Sequence, residues 1–270
     1  MTVMNQPALK TRHRAMWASG DYPAVARTLI PQLGERVVDA ADVGAGDRVL
    51  DVAAGAGNAA LAAAARGAEV TASDLTPELF DVGRADAAAR GLTLRWEEGD
   101  AEALPYDDAA FDAVVSCVGV MFAPFHQRAA DELVRVTRPG GRIATLSWTP
   151  GGFIGAMLRT MSPYAPTPPP GAQPPPLWGS EEHVAALLGD RVEALDCRRE
   201  EVAIDAFAGG AQFRDFFKAN YGPTIAVYRN LAERPDDAAA LDDALAALGE
   251  EHLTDGVMRW EYLLANARRR

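Results

Sequence analysis

Residues 49–74 read VLDVAAGAGNAALAAAARGAEVTASD, and the order of residue types in that stretch decides the architecture. VLDVA is a short apolar run with β-branched residues. It is followed by Gly55 and Gly57, by an alanine-rich segment of helical length over 59–66, and by a second apolar run, EVTAS, over 69–73. Strand, glycine turn, helix and strand in succession make a βαβ unit, which requires a parallel sheet. Working outward, residues 48–148 repeat the alternation. Further strand candidates are LTLRW (92–96), FDAVVSCV (111–118) and RIATLSW (142–148). Helices are expected over 76–90, where Pro77 suits a first turn, and over 125–137, stopped by Pro139-Gly140-Gly141. The nearly continuous apolar character of the runs fits strands covered on both faces.

Upstream, WASGDY (17–22) reads as a turn leading into one helix over 22–40. Downstream, residues 163–176 are so rich in proline that neither helix nor central strand can pass, which leaves a stiff surface loop or lid. A helix capped by Ser180 follows over 181–188, then a strand-like run over 192–204, helical patterns over 212–231 and 236–251, and an apolar last strand over 257–265. The division expected is an N-terminal helical cap (1–40), a core (41–150), and a remainder (151–270) whose proline-rich loop, helical insertion and completing strands belong to the same domain.

The chain has 270 residues, with 26 Lys and Arg against 38 Asp and Glu, a net charge of −12. That balance argues against a nucleic-acid or anionic-lipid partner, and Arg268, Arg269 and Arg270 read as a solvated tail. No run approaches the roughly 20 apolar residues a membrane span needs. Cys117 and Cys197 have neither metal-ligand nor framework spacing, which points to reduced thiols and a cytoplasmic protein.

A loop after the first strand of such a sheet lies at its carboxyl edge, where ligands bind. Gly55 and Gly57 permit positive φ and close approach to the backbone, and the pattern Gly55-x-Gly57-x-x-Ala60 also satisfies a dinucleotide fingerprint. The acids discriminate. Asp51, Asp74 and Asp100 stand at the ends of three successive strands, and a carboxylate at Asp51 suits a phosphate-free cation better than a pyrophosphate.

In these features the chain resembles the class I S-adenosylmethionine-dependent methyltransferases. Residues 49–58 are similar to the family's first motif, 71–75 to its second, GDAEALP (99–105) to its third, 111–117 to its fourth, and RVTRPGGRI (135–143) to the turn into its fifth strand. The resemblance implies an α/β fold, a doubly wound Rossmann-like, mostly parallel seven-stranded sheet with an antiparallel last strand, N-terminal helices and a helical insertion before that strand. It implies S-adenosyl-L-methionine as cofactor, with Asp51 and Gly55 at its methionine end, Asp74 on the ribose, Leu75 on the adenine ring, Asp100 and Ala101 at the adenine amino group, and Ser116 or Cys117 near the sulfur. Ala53 departs from the family, which usually has glycine there; its methyl is harmless if φ is negative. Trp17, Gly20 and Tyr22 resemble a segment that folds over the methionine moiety in a branch of the family. An aromatic pair closing a helix start explains them equally well.

Methyl transfer is an in-line displacement from an activated leaving group, so alignment matters more than a catalytic triad. Among the histidines only His126 is well placed as a general base, and a polar residue in the first turn of an exposed helix is the favoured reading of it. Met121, Phe122, Trp148, Phe217 and Tyr221 are the candidates for an apolar acceptor pocket. A small-molecule methyl acceptor is expected, with a homodimer compatible. The rivals are an NAD(P)-dependent oxidoreductase and a non-catalytic nucleoside-binding protein.

Overall fold

The computed structural model describes residues 6–270; the first five residues of the expected N-terminal cap lie outside that range. The elements are α1 (Gln6–Trp17), α2 (Tyr22–Leu29), α3 (Leu33–Ala40), β1 (Arg48–Val52), α4 (Asn58–Ala65), β2 (Glu69–Asp74), α5 (Phe80–Ala89), β3 (Arg95–Glu98), β4 (Phe111–Cys117), α6 (His126–Val136), β5 (Thr137–Trp148), α7 (Phe153–Met161), α8 (Glu181–Leu188), β6 (Val192–Ile204), α9 (Gly210–Asn220), α10 (Gly222–Asn230), α11 (Pro235–Glu251), β7 (Leu253–Thr254) and β8 (Val257–Arg269). The sheet runs β3-β2-β1-β4-β5-β8-β6, with two-residue β7 paired to β8. β1 to β5 are mutually parallel and β8 is antiparallel to β5. This is the doubly wound, Rossmann-like sheet the sequence implied.

The order explains where a ligand can sit. The crossover through α4 carries the chain from β1 toward β2, and the one through α6 carries it from β4 toward β5, in the opposite direction. Right-handed crossovers therefore put α4 and α6 on opposite faces and open a crevice at the carboxyl ends of β1 and β4.

The chain divides into two compact units. The larger comprises Pro31–Thr149, Gly171–Glu200 and Tyr262–Arg270 and holds most of the sheet. Val49, Leu50, Val52, Ala113, Val114 and Val115 are all fully buried in it, which matches strands covered on both faces. The other comprises residues 6–30, Pro150–Pro170 and Glu201–Glu261. Its core is aromatic: Phe213 and Phe217 sit 4.7 Å apart, with Phe153 stacked on Trp260 at 5.5 Å. Gly210 is required there, because a Cβ would run into the Ala246 carbonyl and lie 2.6 Å from the Glu250 nitrogen.

Several expected boundaries move, each for a local reason. The single helix over 22–40 is two helices, because Pro31 pushes Ile30 out of the helical region to φ −133 and ψ 36. The helix over 212–231 is likewise two, split at Tyr221 (φ −96, ψ 111) just before Gly222-Pro223. β3 begins at Arg95 rather than at 92, since Leu92 N still bonds the Ala87 carbonyl and closes α5. The helix expected over 125–137 does end before Pro139-Gly140-Gly141, at Val136, but that segment is a bulge inside β5, where the pairing jumps from Phe111–Thr137 to Ala113–Arg142. The arginine tail is not free either. Arg268 pairs with Arg142 in the sheet, Arg269 bonds the Arg135 and Thr137 carbonyls, and Arg270 N bonds the Arg191 carbonyl.

Candidate functional site

The crevice is built on β1. Asp51, near its carboxyl end, is 1% exposed. Its Oδ2 accepts from Ala60 N at 2.9 Å, in the first turn of α4. The residue before that helix, at its N-cap, is Gly57, which is left-handed at φ 82 and has no side chain to cap with, so a strand residue supplies the capping carboxylate. Asp51 Oδ1 is buried and has no hydrogen-bond partner among the described residues. Burial, with Asp74 nearby, pushes its carboxyl up to about 8 despite the Ala60 bond. Asp74, at the end of β2, holds the glycine loop: Oδ2 accepts from Gly55 N and Oδ1 from Thr76 N, both at 2.8 Å. Burial raises it also.

Two neighbouring buried carboxylates, one with an unused oxygen, form a site short of positive charge. A ligand bearing an ammonium and a sulfonium fits those acceptor oxygens; a pyrophosphate does not. On β1 and β2, Asp51 and Asp74 therefore suit S-adenosylmethionine.

Around them, Leu75 is half-buried and Ala101 buried, while Asp100 Oδ1 accepts from Glu102 N in a tight turn. Ser116 is fully buried and engaged on both sides, donating to the Val52 carbonyl at 2.7 Å and accepting from Val120 N at 2.9 Å, so it joins β4 to β1. Cys117 is kept protonated by burial and by Asp51, consistent with no nucleophilic role. Ala53 has φ 55, so the condition under which its methyl would be harmless is not met. Val118, at the end of β4, is also left-handed at φ 59. Two non-glycine residues in a costly conformation thus flank the switch point, as strain at functional sites does.

Gly57 has a role the sequence did not reveal. A Cβ there would lie 2.5 Å from the ring of Trp96, and one on Gly83 would also meet that ring and the Ala56 carbonyl. The close approach to this glycine comes from the protein's own tryptophan, and only the pairing of β3 with β2 brings it there.

Of the residues expected to line an acceptor pocket, Met121 and Trp148 are buried and Phe122 is half-buried. His126 is not on an exposed helix turn: it is 0% exposed, packs at 5.8 Å from the Trp178 ring, and its Nδ1 lies 2.9 Å from His183 Nε2. His183 is 57 residues away and carried no signal of its own. Burial, then His183, lowers His126 to about 4. The unfolded chain takes up its proton near pH 6.5, whereas the fold refuses it until about 4. Stability should therefore fall as pH drops through that interval, and thermal melts of His126→Asn should show a flatter pH dependence than wild type.

In the smaller unit, Trp17, Tyr22 and Tyr221 form one cluster, with Trp17 edge-on to Tyr22 at 5.3 Å and to Tyr221 at 5.7 Å, and Phe217 edge-on to Tyr221 at 5.3 Å. Gly20 permits the turn to lie against α9, since a Cβ there would collide with the Asn220 carbonyl.

Among known proteins, a family model described as a methyltransferase domain matches residues 50–145. An uncharacterised protein of Mycobacterium tuberculosis H37Rv is 52% identical over 259 residues, covering 96% of this chain and 94% of the relative. A demethylmenaquinone methyltransferase of Thermus thermophilus is 44% identical over 128 residues, 46% of this chain and 58% of that protein. In fold, the YcgJ protein of Bacillus subtilis superposes with a TM-score of 0.61 at 19% identity, over 88% of this chain and 98% of its own. With the five motifs in order on one sheet and a pair of buried carboxylates at its switch point, residues 50–145 of the chain are a methyltransferase domain, of the class I S-adenosylmethionine-dependent kind by motif and fold.

Proposed function

We propose that the protein transfers the methyl group of S-adenosylmethionine to an oxygen, nitrogen or carbon nucleophile of a small organic metabolite by in-line displacement. The observation that carries this reading is the buried Asp51 carboxylate with its unpartnered oxygen beside Asp74. Bound there, the cofactor supplies an activated methyl on a sulfonium. The chain's own work is binding and orientation: Asp51 and Gly55 toward the methionine end, Asp74 toward the ribose, and Leu75, Asp100 and Ala101 toward the adenine.

The acceptor is proposed as small because the net charge of −12 disfavours nucleic acid. No helix among the described residues is long and apolar enough to cross a membrane. Met121, Phe122 and Trp148, all in the larger unit, are proposed acceptor contacts. The similarity to the demethylmenaquinone enzyme covers under half of this chain, so it supports the reaction class and not a particular acceptor. Two free thiols support a reducing, cytoplasmic setting. Calorimetry is expected to show binding of S-adenosylmethionine and S-adenosylhomocysteine and none of NAD; binding of NAD alone would overturn the reading. Transfer of labelled methyl to quinone-like, phenolic or amine acceptors then tests catalysis, and a protein that binds the cofactor but methylates nothing would be a sensor instead.

A further inference from the structure

The sheet has two edges, β3 and β6. β3 is Arg95-Trp96-Glu97-Glu98, with Arg95 and Glu98 exposed and the other two half-buried. Its register with β2 sets Arg95 beside Thr71 and Glu97 beside Ser73, on one sheet face, while Trp96 packs on the other against Phe80, ring centroids 5.5 Å apart. At this corner the first face is covered by a loop and not by a helix. Residues 99–110, which lead from β3 to β4, contain no helix. A cleft of about 370 Å³ lies there, lined by Arg48, Glu69, Thr71, Arg95, Glu97 and Tyr106. An edge strand presents unpaired N–H and C=O groups, and natural proteins block such edges with charges, proline or bulges.

We propose that β3 pairs antiparallel with β3 of a second copy of this chain, about a two-fold axis through Trp96, to make one continuous sheet. The argument is charge complementarity under symmetry. A two-fold axis that extends a sheet through an antiparallel edge pair stands perpendicular to it, so a residue can lie opposite only a residue of the same face. With Trp96 on the axis, Arg95 faces the partner's Glu97 and Glu97 faces the partner's Arg95. That makes two reciprocal ion pairs on the Arg95 face. The neighbouring registers place Arg95 opposite the partner's Arg95, or Glu97 opposite the partner's Glu97, which repels. One register is therefore selected. β6 carries blocking features instead: Ala194 at φ 52 interrupts it, and two-fold registers centred within Arg198-Arg199-Glu200-Glu201 set like charges on the axis. A four-residue ladder is small for a permanent interface, so association should be concentration-dependent.

Sedimentation velocity over a concentration series tests this. Wild type is expected to pass from monomer to dimer. Arg95→Glu and Glu97→Arg should each weaken association by roughly tenfold or more, because both ion pairs become repulsive. The double variant Arg95→Glu/Glu97→Arg should dimerise again. An equimolar mixture of the two single variants should form a heterodimer that neither forms alone, which also shows that each is folded. A wild type that stays monomeric into the hundred-micromolar range overturns the proposal. So does a dimer indifferent to both single changes, or a loss of association that neither the double variant nor the mixture reverses.

Discussion

Replacing Asp74 by alanine is expected to weaken binding of S-adenosylhomocysteine by roughly 1.5 to 3 kcal/mol, the range for a hydrogen bond to a charged group. It should also lower the stability of the protein without ligand. The sequence alone suggested a purely functional effect, but Asp74 accepts from both Gly55 N and Thr76 N. Its removal leaves two buried donors unpaired, at a cost of about 1–3 kcal/mol each. Calorimetry and thermal melts separate the roles. An unchanged dissociation constant refutes the ribose contact, and an unchanged melting temperature refutes the loop clamp. Asp74→Asn, which keeps one acceptor oxygen but turns an amide NH2 toward the other donor, should fall between wild type and alanine in stability.

Gly119→Ala should be as damaging through sterics alone. A Cβ on Gly119 would collide with the Ala53 carbonyl oxygen and lie 2.8 Å from the Ala53 Cβ. Both obstacles belong to the end of β1, which cannot yield without moving the Ala54-Gly55 loop that Asp74 and Ser73 hold. Overpacking of this kind costs about 1–3 kcal/mol, and the displaced loop should lose cofactor affinity together with stability. Ala53→Gly provides the control. It relieves a left-handed alanine worth about 1–2 kcal/mol of strain but returns roughly 0.5–1 kcal/mol of backbone entropy to the unfolded chain, so alone it should change stability little. Combined with Gly119→Ala, it should recover part of the loss, because the Cβ–Cβ contact disappears. If the double variant is no better than Gly119→Ala, the carbonyl clash alone sets the cost and the Ala53 methyl is innocent.

Much of the fold was legible in the sequence because it is encoded locally. Apolar runs of strand length, alanine-rich helices and glycine turns follow one another in chain order, and a βαβ succession admits few topologies. Where the sequence misled, a local signal had been overruled or overlooked. Pro31 broke a helix that periodicity had drawn through it, and Pro139-Gly140-Gly141 became a bulge because β4 was there to pair with.

The carboxylates at the ends of β1 and β2 could be read as a site because their spacing along the chain maps onto adjacent strands. Their division of labour could not. Asp51 gives one oxygen to α4 and keeps the other, a distinction that needs the strand and the helix brought together. The sequence by itself determined the class of sheet and the cofactor family, since both rest on order and spacing within about a hundred residues. Only the tertiary structure decided that Ala53 is left-handed with Gly119 leaving room beside it, that Trp96 is what Gly57 makes room for, and that His126 is buried against His183. Each of these depends on atoms distant in sequence meeting at van der Waals or hydrogen-bond range, and pattern along the chain carries no information at that resolution.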